Sequence, residues 1–426
     1  MRILNFGSCN LDMVYDVEHI VRAGETIHTH GLHHYAGGKG LNQSIAVARA
    51  GAEVFHAGCI GEDGQMLREF MAGYGVRLDY LQTVEGPTGH AVIQVDQKGE
   101  NCIFLYSGAN VKITREFASQ VLGQFQAGDY LLLQNEISQL SFIIDTAFAK
   151  GMRIVLNPSP INDALKKIDF NKLSYLILNE TEAADISGVE GCGEFMQWMR
   201  AHYPNLTVIL TLGKQGSICF NRETCIRQPS YEVEAVDTTA AGDAYTGYFL
   251  AELCRGKSIQ DCMNCASAAA AIAVSRKGAA PSIPDYATVM GQIRHMKLRK
   301  PNGLESKQKQ VTDFLQVHIA DASLNMLAEQ LGYTPAYTSR WFLQNMGASF
   351  SDYIKQLRLD KAAWYLRESS LSIGEIISAV GYKNESFFRK NFAQKYGCSA
   401  LEYRNGGYQH DKNTKTPKPD RSEGEN

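Results

Sequence analysis

Four short runs constrain this chain more than any other feature: "YLLLQ" (130–134), "RIVLN" (153–157), "YLILN" (175–179) and "TVILTLG" (207–213). Each is apolar at successive positions, so a strand built from it must bury both faces. Helical patterns separate the runs. The alternation over roughly the first 295 residues predicts βαβ units around a largely parallel sheet. "VIQV" and "CIFLYS", on either side of "DQKGEN", read as a hairpin. "IQDCMNCASAAAAIAVSRKG" reads as a helix of small residues packed tightly against a neighbour.

From residue 296 the texture changes. "MKLRKPNGLESKQKQ" is polar and broken by Pro301-Asn302-Gly303, which predicts a linker over 296–306 after a first domain of 1–295. Residues 307–408 read as an all-α second domain, and 409–426, almost without apolar residues, as a disordered tail. The second domain repeats itself: "LAEQLGYTPAYTSR" (327–340) aligns with "IISAVGYKNESFFR" (376–389) at a shift of 49 residues. That alignment pairs Gly332 with Gly381 and Arg340 with Arg389. Thr334-Pro335 supplies an N-cap and first helical residue, and Ser372-x-x-Glu375 a capping box. This is helix-turn-helix grammar, twice. Formal charge is +3 over 307–408 and −6 over the remainder, a weak pointer to nucleic acid in the C-terminal half. A helical protein-interaction domain is the alternative.

Chemistry concentrates in the first domain. In "DTTAAGDAYTG" (237–247), a helix starting near Ala241 leaves the N–H groups of about 240–243 without intrahelical acceptors, beside small side chains. Such a cradle suits a transferred phosphoryl group, with Asp243 placed to take a proton from an attacking hydroxyl. The alternative is a carboxylate that only stabilises the helix dipole. "GSCNLDMVYD" puts Asn10 and Asp12 on one strand face, where they can grip sugar hydroxyls. "GGKGLNQS" is a glycine-rich loop without Walker A spacing, or else a flexible turn. "LNETEA" sets Asn179 and Glu182 three apart at a strand end, consistent with water-bound Mg²⁺ or with an ordinary N-cap followed by a solvated glutamate.

"NLD", "GET", "GGKGLNQS", "NETEA", "TLGKQG", "DTTAAGD" and "VSRKGAAPSIP", in this order and spacing, resemble the ribokinase/PfkB carbohydrate kinase family over residues 1–295. The resemblance implies an α/β three-layer sandwich with a small β lid, and transfer of phosphate from ATP to a sugar. Within the family it is closest to the kinases of D-ribose, acting on the 5-hydroxyl. It implies sugar contacts from Asn10, Asp12, Gly38, Lys39, Asn42 and Glu136. ATP contacts would come from Asn179, the Thr211–Gly216 loop with Gly213, Gly242 and Ser267. Asp243 would be the base and Gly242 part of the anion hole. Mg²⁺ would be held through water by Glu182. A monovalent cation, K⁺, would be held around Asp237, Thr239, Ala273, Arg276, Gly278 and Ser282, several acting through backbone carbonyls. The lid would be Met13–Val17, Thr29–Tyr35, Ala91–Asp96 and Asn101–Ser107, pairing into a homodimer. One departure is that Arg22-Ala23 replaces the proline usual before "GET", altering the lid hinge.

The doubled motif resembles the AraC/XylS family of transcription regulators over about 307–405. It implies binding to double-stranded DNA, with recognition helices beginning near Pro335 and Asn384 and a linking helix near Phe350–Arg367. Tyr337, Thr338, Arg340, Asn384, Glu385, Ser386 and Arg389 would face the groove, and Lys383, Lys390 and Lys395 would suit phosphates. Trp341, Phe342, Phe387, Phe388 and Phe392 read as core from their helical spacing. The fusion predicts a sugar kinase joined to a regulator. A sensor with little turnover, or a kinase for another sugar or a nucleoside, is the alternative.

Ten cysteines without a framework, no signal-peptide pattern and no apolar run of membrane length predict a cytoplasmic protein that does not engage a membrane. Cys262-x-x-Cys265 reads as buried core, and His28, His30, His33 and His34 as polar lid positions rather than a metal site.

Overall fold

A computed structural model describes residues 1–299, 303–369 and 371–405. The chain divides into two compact units, Met1–Lys300 and Pro301–Asn426. The expected tail, 409–426, lies outside the described residues.

The described residues of the first unit form thirteen strands: β1 (Ile3–Phe6), β2 (Asn10–Asp16), β3 (Gly31–Gly37), β4 (Val54–Ile60), β5 (Arg77–Thr83), β6 (Gly89–Val95), β7 (Asn101–Tyr106), β8 (Tyr130–Gln134), β9 (Arg153–Asn157), β10 (Tyr175–Asn179), β11 (Thr207–Thr211), β12 (Ser217–Phe220) and β13 (Cys225–Gln228). Nine form one sheet in the order β13-β12-β11-β10-β9-β8-β1-β4-β5. It is parallel from β5 to β11, and β12 and β13 close one edge antiparallel. Alternation along each strand divides the apolar residues between two cores. Tyr130, Leu132, Val155, Ile177 and Ile209 pack on one face with helices Lys39–Arg49, Ala241–Cys254 and Ile259–Val274. Leu131, Leu133, Leu156, Leu178 and Leu210 pack on the other with helices Arg115–Gly123, Leu140–Ala149 and Cys192–His202. The result is a three-layer sandwich. Cys262 and Cys265 are buried in the small-residue helix.

The remaining strands form a four-stranded sheet, β3-β2-β6-β7. β2 lies parallel to β6, and both outer pairs are antiparallel. Among the described residues no cluster of three or more His, Cys, Asp or Glu has metal-binding geometry. His33 instead meets Asp16, Nε2 to Oδ2 2.9 Å.

The segment expected as a linker is held at its start. Glu232 N–H donates to Lys297 O and Arg299 N–H to Ser230 O, each at 2.8 Å, and a helix begins at Gly303. Main-chain pairing, invisible in a polar composition, explains the difference from 296–306.

The second unit has helices Gly303–Val317, Leu324–Leu331, Pro335–Met346, Phe350–Glu368, Ile373–Ala379, Glu385–Tyr396 and Ala400–Arg404. It has two cores. Phe350 and Ile354, early in the long helix, pack with Leu327, Trp341 and Phe342. Leu359, Ala362 and Leu366, later in it, pack with Ile376, Phe388 and Phe392. Among the described residues no helix is long and apolar enough to cross a membrane.

Candidate functional site

The glycine-rich loop is a packed joint and not a flexible turn. Gly38 has φ +95°, and a Cβ on Gly40 would lie 2.3 Å from Ser8 N. Only glycine lets the helix Lys39–Arg49 start flush against the β1–β2 connection. That placement brings Lys39 into a cleft of about 200 Å³ whose walls include Gly242, Asp243, Asn179, Glu182 and Thr211.

Asp243 sits in the first turn of the helix Ala241–Cys254 and is buried. Its Oδ2 accepts from Asn42 Nδ2 at 3.1 Å and its Oδ1 from Gln43 Nε2 at 2.9 Å. Burial pushes its carboxyl up, opposed by the Lys39 charge and by these two amides. The backbone beside it differs slightly from expectation. Ala241 N–H is used, donating to Thr238 O at 3.3 Å in a preceding turn, and Ala244 N–H donates to Ala240 O. Gly242 and Asp243 keep N–H groups without an acceptor among the described residues. A Cβ on Gly242 would meet nothing within 4 Å, so the glycine leaves the cleft wall bare there.

Asn10 and Asp12 stand two apart on β2. Asn10 Oδ1 accepts from Asn110 Nδ2 at 2.8 Å, and Asn110 Oδ1 takes the Cys9 N–H. Glu136 accepts from the Ser8 hydroxyl and from Lys39 N–H at 3.2 Å. Burial pushes Glu136 up, with Ser8 and Lys39 opposing. Asp12 is raised to about 7 by burial and then by the like charge of Glu136. Asn10, Asp12, Gly38 and Glu136 thus flank the Lys39 joint, outside the lining of the cleft itself.

On the other side, Asn179 and Glu182 form a reciprocal capping box, Asn179 Oδ1 accepting from Glu182 N–H (2.9 Å) and Glu182 Oε2 from Asn179 N–H (3.0 Å). Both still line the cleft. Thr211 lines it too, while Gly213 and Gly216 (φ +53° and +97°) shape the following turn. Ser267 is buried mid-helix and does not line it.

Asp237 ties two loops together. Its Oδ1 accepts from the N–H and hydroxyl of Thr239, and its Oδ2 from Gly278 N–H at 3.0 Å. Burial raises its pKa, but these bonds outweigh burial and hold it below the usual range. Ala273 O accepts from Arg276 N–H, and Ser282 Oγ donates to Ala279 O. The Asp237 carboxylate and the Thr239 hydroxyl are hard oxygen donors of the kind a monovalent cation would take, whereas Ala273 and Ser282 bond within their own turns.

In the second unit, the N-caps Thr334 and Asn384 are 50 residues apart, as are the left-handed C-caps Gly347 and Gly397. The first helices of the two motifs, capped by Ser323 and Ser372, are 49 apart. The second turn is therefore one residue longer. This corrects the pairing of Arg340 with Arg389: the counterpart of Arg340 is Lys390, and that of Tyr337 is Phe387. Tyr337 and Phe387 are 42% and 56% exposed, so Phe387 is not core. Thr338, expected in the groove, is buried, its hydroxyl donating to Thr334 O at 3.1 Å. Arg340, Ser386, Lys383 and Lys390 are exposed. Arg389 donates to Glu385 on its own helix (Nε to Oε1 2.9 Å), Asn384 Oδ1 is occupied as the cap, and Lys395 pairs with Asp360 at 2.8 Å.

Sequence reasoning missed Ser8, Gln43, Asn110, Gln134 and Asn157. Polar side chains that bond over a hundred residues away leave no local period; the pattern "GGKGLNQS" held Gln43 but offered no partner for it.

Residues 2–286 match the family described as pfkB family carbohydrate kinase, and 327–406 match a helix-turn-helix domain. A ribokinase of Haemophilus influenzae is 35% identical over 301 residues, covering 68% of this chain and 97% of that protein. The crystal structure of a Cryptococcus neoformans ribokinase in complex with ADP superposes with a TM-score of 0.60 at 35% identity, over 68% of this chain and 99% of that one. The structure of Arabidopsis thaliana ribokinase complexed with ribose and ATP gives 0.62 at 30% identity, over 69% and 98%. The chain belongs to the pfkB family of carbohydrate kinases and carries, in its C-terminal part, an AraC/XylS-type helix-turn-helix domain.

Proposed function

We propose that this chain transfers the terminal phosphate of ATP to D-ribose at its 5-hydroxyl, and that its second unit binds double-stranded DNA as a cytoplasmic regulator. The observation that carries the kinase reading is Asp243, buried but facing the cleft beside Lys39 and the N–H groups of Gly242 and Asp243, which find no acceptor among the described residues. A carboxylate raised by burial is a stronger proton acceptor near neutrality. It takes the hydroxyl proton as that oxygen attacks phosphorus, while the N–H groups of Gly242 and Asp243 receive the developing negative charge. Asn10, Asp12, Asn42 and Glu136, with Gly38 and Lys39, hold the sugar. Closure of the β2/β3/β6/β7 lid excludes water from the phosphoryl group. Asn179 and the Thr211 loop hold the nucleotide. Glu182, a carboxylate of the cleft wall, would hold Mg²⁺ through water, and the Asp237 loops would hold K⁺. When bound, these ions offset phosphate charge and order the anion hole. Similarity to ribokinases at this level of identity supports ribose as the sugar.

The exposed edge strand β7, with Ile103, Phe104 and Leu105 each more than half exposed, supports a homodimer through the lid. For the second unit, Tyr337 with Arg340 and Phe387 with Lys390 occupy equivalent exposed positions and would meet DNA. The fusion further suggests DNA binding that responds to sugar or nucleotide.

The test is ADP release across pentoses, hexoses and nucleosides with Mg²⁺ and K⁺, with Asp243→Asn as control. Ribose-stimulated turnover lost in the variant is expected. No sugar-stimulated turnover would favour a sensor, and preference for another substrate would replace ribose.

A further inference from the structure

A buried line of side-chain amides runs behind Asp243. We propose that Gln43 is a positioning residue for the Asp243 carboxylate, its amide locked in one orientation by the series Asn5, Gln134, Gln43 and Asn157. The inference rests on the reading of Asp243 as the base.

The orientation follows from donor counting. Asn5 Nδ2 donates to Gly40 O and Ser44 Oγ, both at 2.8 Å. Its Oδ1 therefore faces Gln134 Nε2, 3.1 Å away. The second hydrogen of Gln134 Nε2 goes to Gln43 Oε1 at 2.7 Å. That leaves Gln43 Nε2 to donate to Asp243 Oδ1 at 2.9 Å and to Asn157 Oδ1 at 3.1 Å. At the far end Asn157 Nδ2 donates to Ile177 O at 2.9 Å. The two ends are backbone carbonyls, of Gly40 and Ile177, which can only accept. Flipping Gln43 would set its oxygen against the Asp243 carboxylate and its nitrogen against the Gln134 nitrogen. Side-chain amides cannot be oriented from shape alone, but here the network admits one arrangement. Asn5, Gln43 and Gln134 are wholly buried, so water cannot substitute for a lost partner.

The consequence is specific. A carboxylate has about four lone-pair sites. Gln43 takes one on Oδ1 and Asn42 one on Oδ2, which fixes the plane of the group and leaves other lone pairs for the sugar hydroxyl. The same donors favour the ionised, proton-accepting form against burial. The other charges acting on Asp243 are Lys39, which lowers its pKa, and Glu136, a like charge.

The test is the pH profile of kcat for Gln43→Met and Gln134→Met in the full-length protein, with melting temperature and ATP KM as controls. Gln43→Met removes one donor to the ionised form, so the acid limb should move to higher pH by about one pH unit, with activity recovered on the alkaline side. Gln134→Met, which touches no part of Asp243, should move the limb the same way by less, because Gln43 loses the donor to its Oε1 while Asn157 still accepts from its Nε2. If Gln43→Met fails to fold, Gln134→Met carries the test. A folded variant with the acid limb at the wild-type pH overturns the proposal. Full turnover in Asp243→Asn would instead overturn the base reading, and the positioning role with it.

Discussion

Gly40→Ala is the substitution whose effect can be worked most directly from the structure. An added Cβ would lie 2.3 Å from Ser8 N, 2.4 Å from Gly7 Cα and 2.5 Å from Gly7 C. All three are backbone atoms, so no side-chain rotation relieves the overlap. Ordinary contact requires the helix Lys39–Arg49 to move away from the β1–β2 connection by about 1 Å, and overpacking of this kind costs about 1–3 kcal/mol. The displaced helix carries Lys39, Asn42 and Gln43, and a shift of about 1 Å in groups that position a reacting centre costs ~100-fold in rate. Thermal melting and steady-state ADP release should therefore fall together, by several degrees and about two orders of magnitude. Gly242→Ala is the counterpart. Its Cβ meets nothing within 4 Å, so the melting temperature should hold while a methyl on the cleft wall suppresses turnover. Wild-type melting and kcat in Gly40→Ala would refute the reasoning, as would a Gly242→Ala protein that melts as early as Gly40→Ala.

Asp12, raised to about 7, is protonated below that pH and ionised above it, so the KM for sugar should fall as pH rises through 7. Asp12→Asn should remove that step, and a KM flat with pH in the wild type would contradict the reading. Asp237→Asn weakens the tie between the 236–239 and 274–278 loops and should abolish activation by K⁺ in a salt series at constant ionic strength. In the second unit, Arg340→Ala and Phe387→Ala should each weaken binding to a cognate promoter fragment by roughly 10–100-fold in anisotropy titrations, about 1–3 kcal/mol. Arg389→Ala should cost less, because Arg389 is already paired with Glu385.

The strands "YLLLQ", "RIVLN" and "YLILN" were legible to the residue because burial on both faces writes itself as an unbroken apolar run. The helix opening at Ala241 was legible because small residues and a following carboxylate mark an N-terminus. The groove face was misread at Thr338 and Phe387. Phe388 and Phe392 are four apart and share the buried stripe, which puts Phe387 about 100° off it. Thr338 falls on the stripe of Trp341 and Phe342 by the same spacing. The extra residue before Asn384 shifted the repeat, and identical letters at Arg340 and Arg389 concealed the shift. The amide series behind Asp243 could not be read at all, since Gln43 and Asp243 are 200 residues apart and only the fold joins them.

The central claim is transfer of phosphate to a sugar oxygen at the Asp243 end of the cleft. ³¹P and ¹³C NMR of a reaction holding the full-length protein, ATP, ribose, Mg²⁺ and K⁺ tests it most directly. The account predicts ribose phosphorylated on O5, equimolar with ADP, and none with Asp243→Asn. Free phosphate without sugar phosphate, or an equal yield from Asp243→Asn, would contradict it.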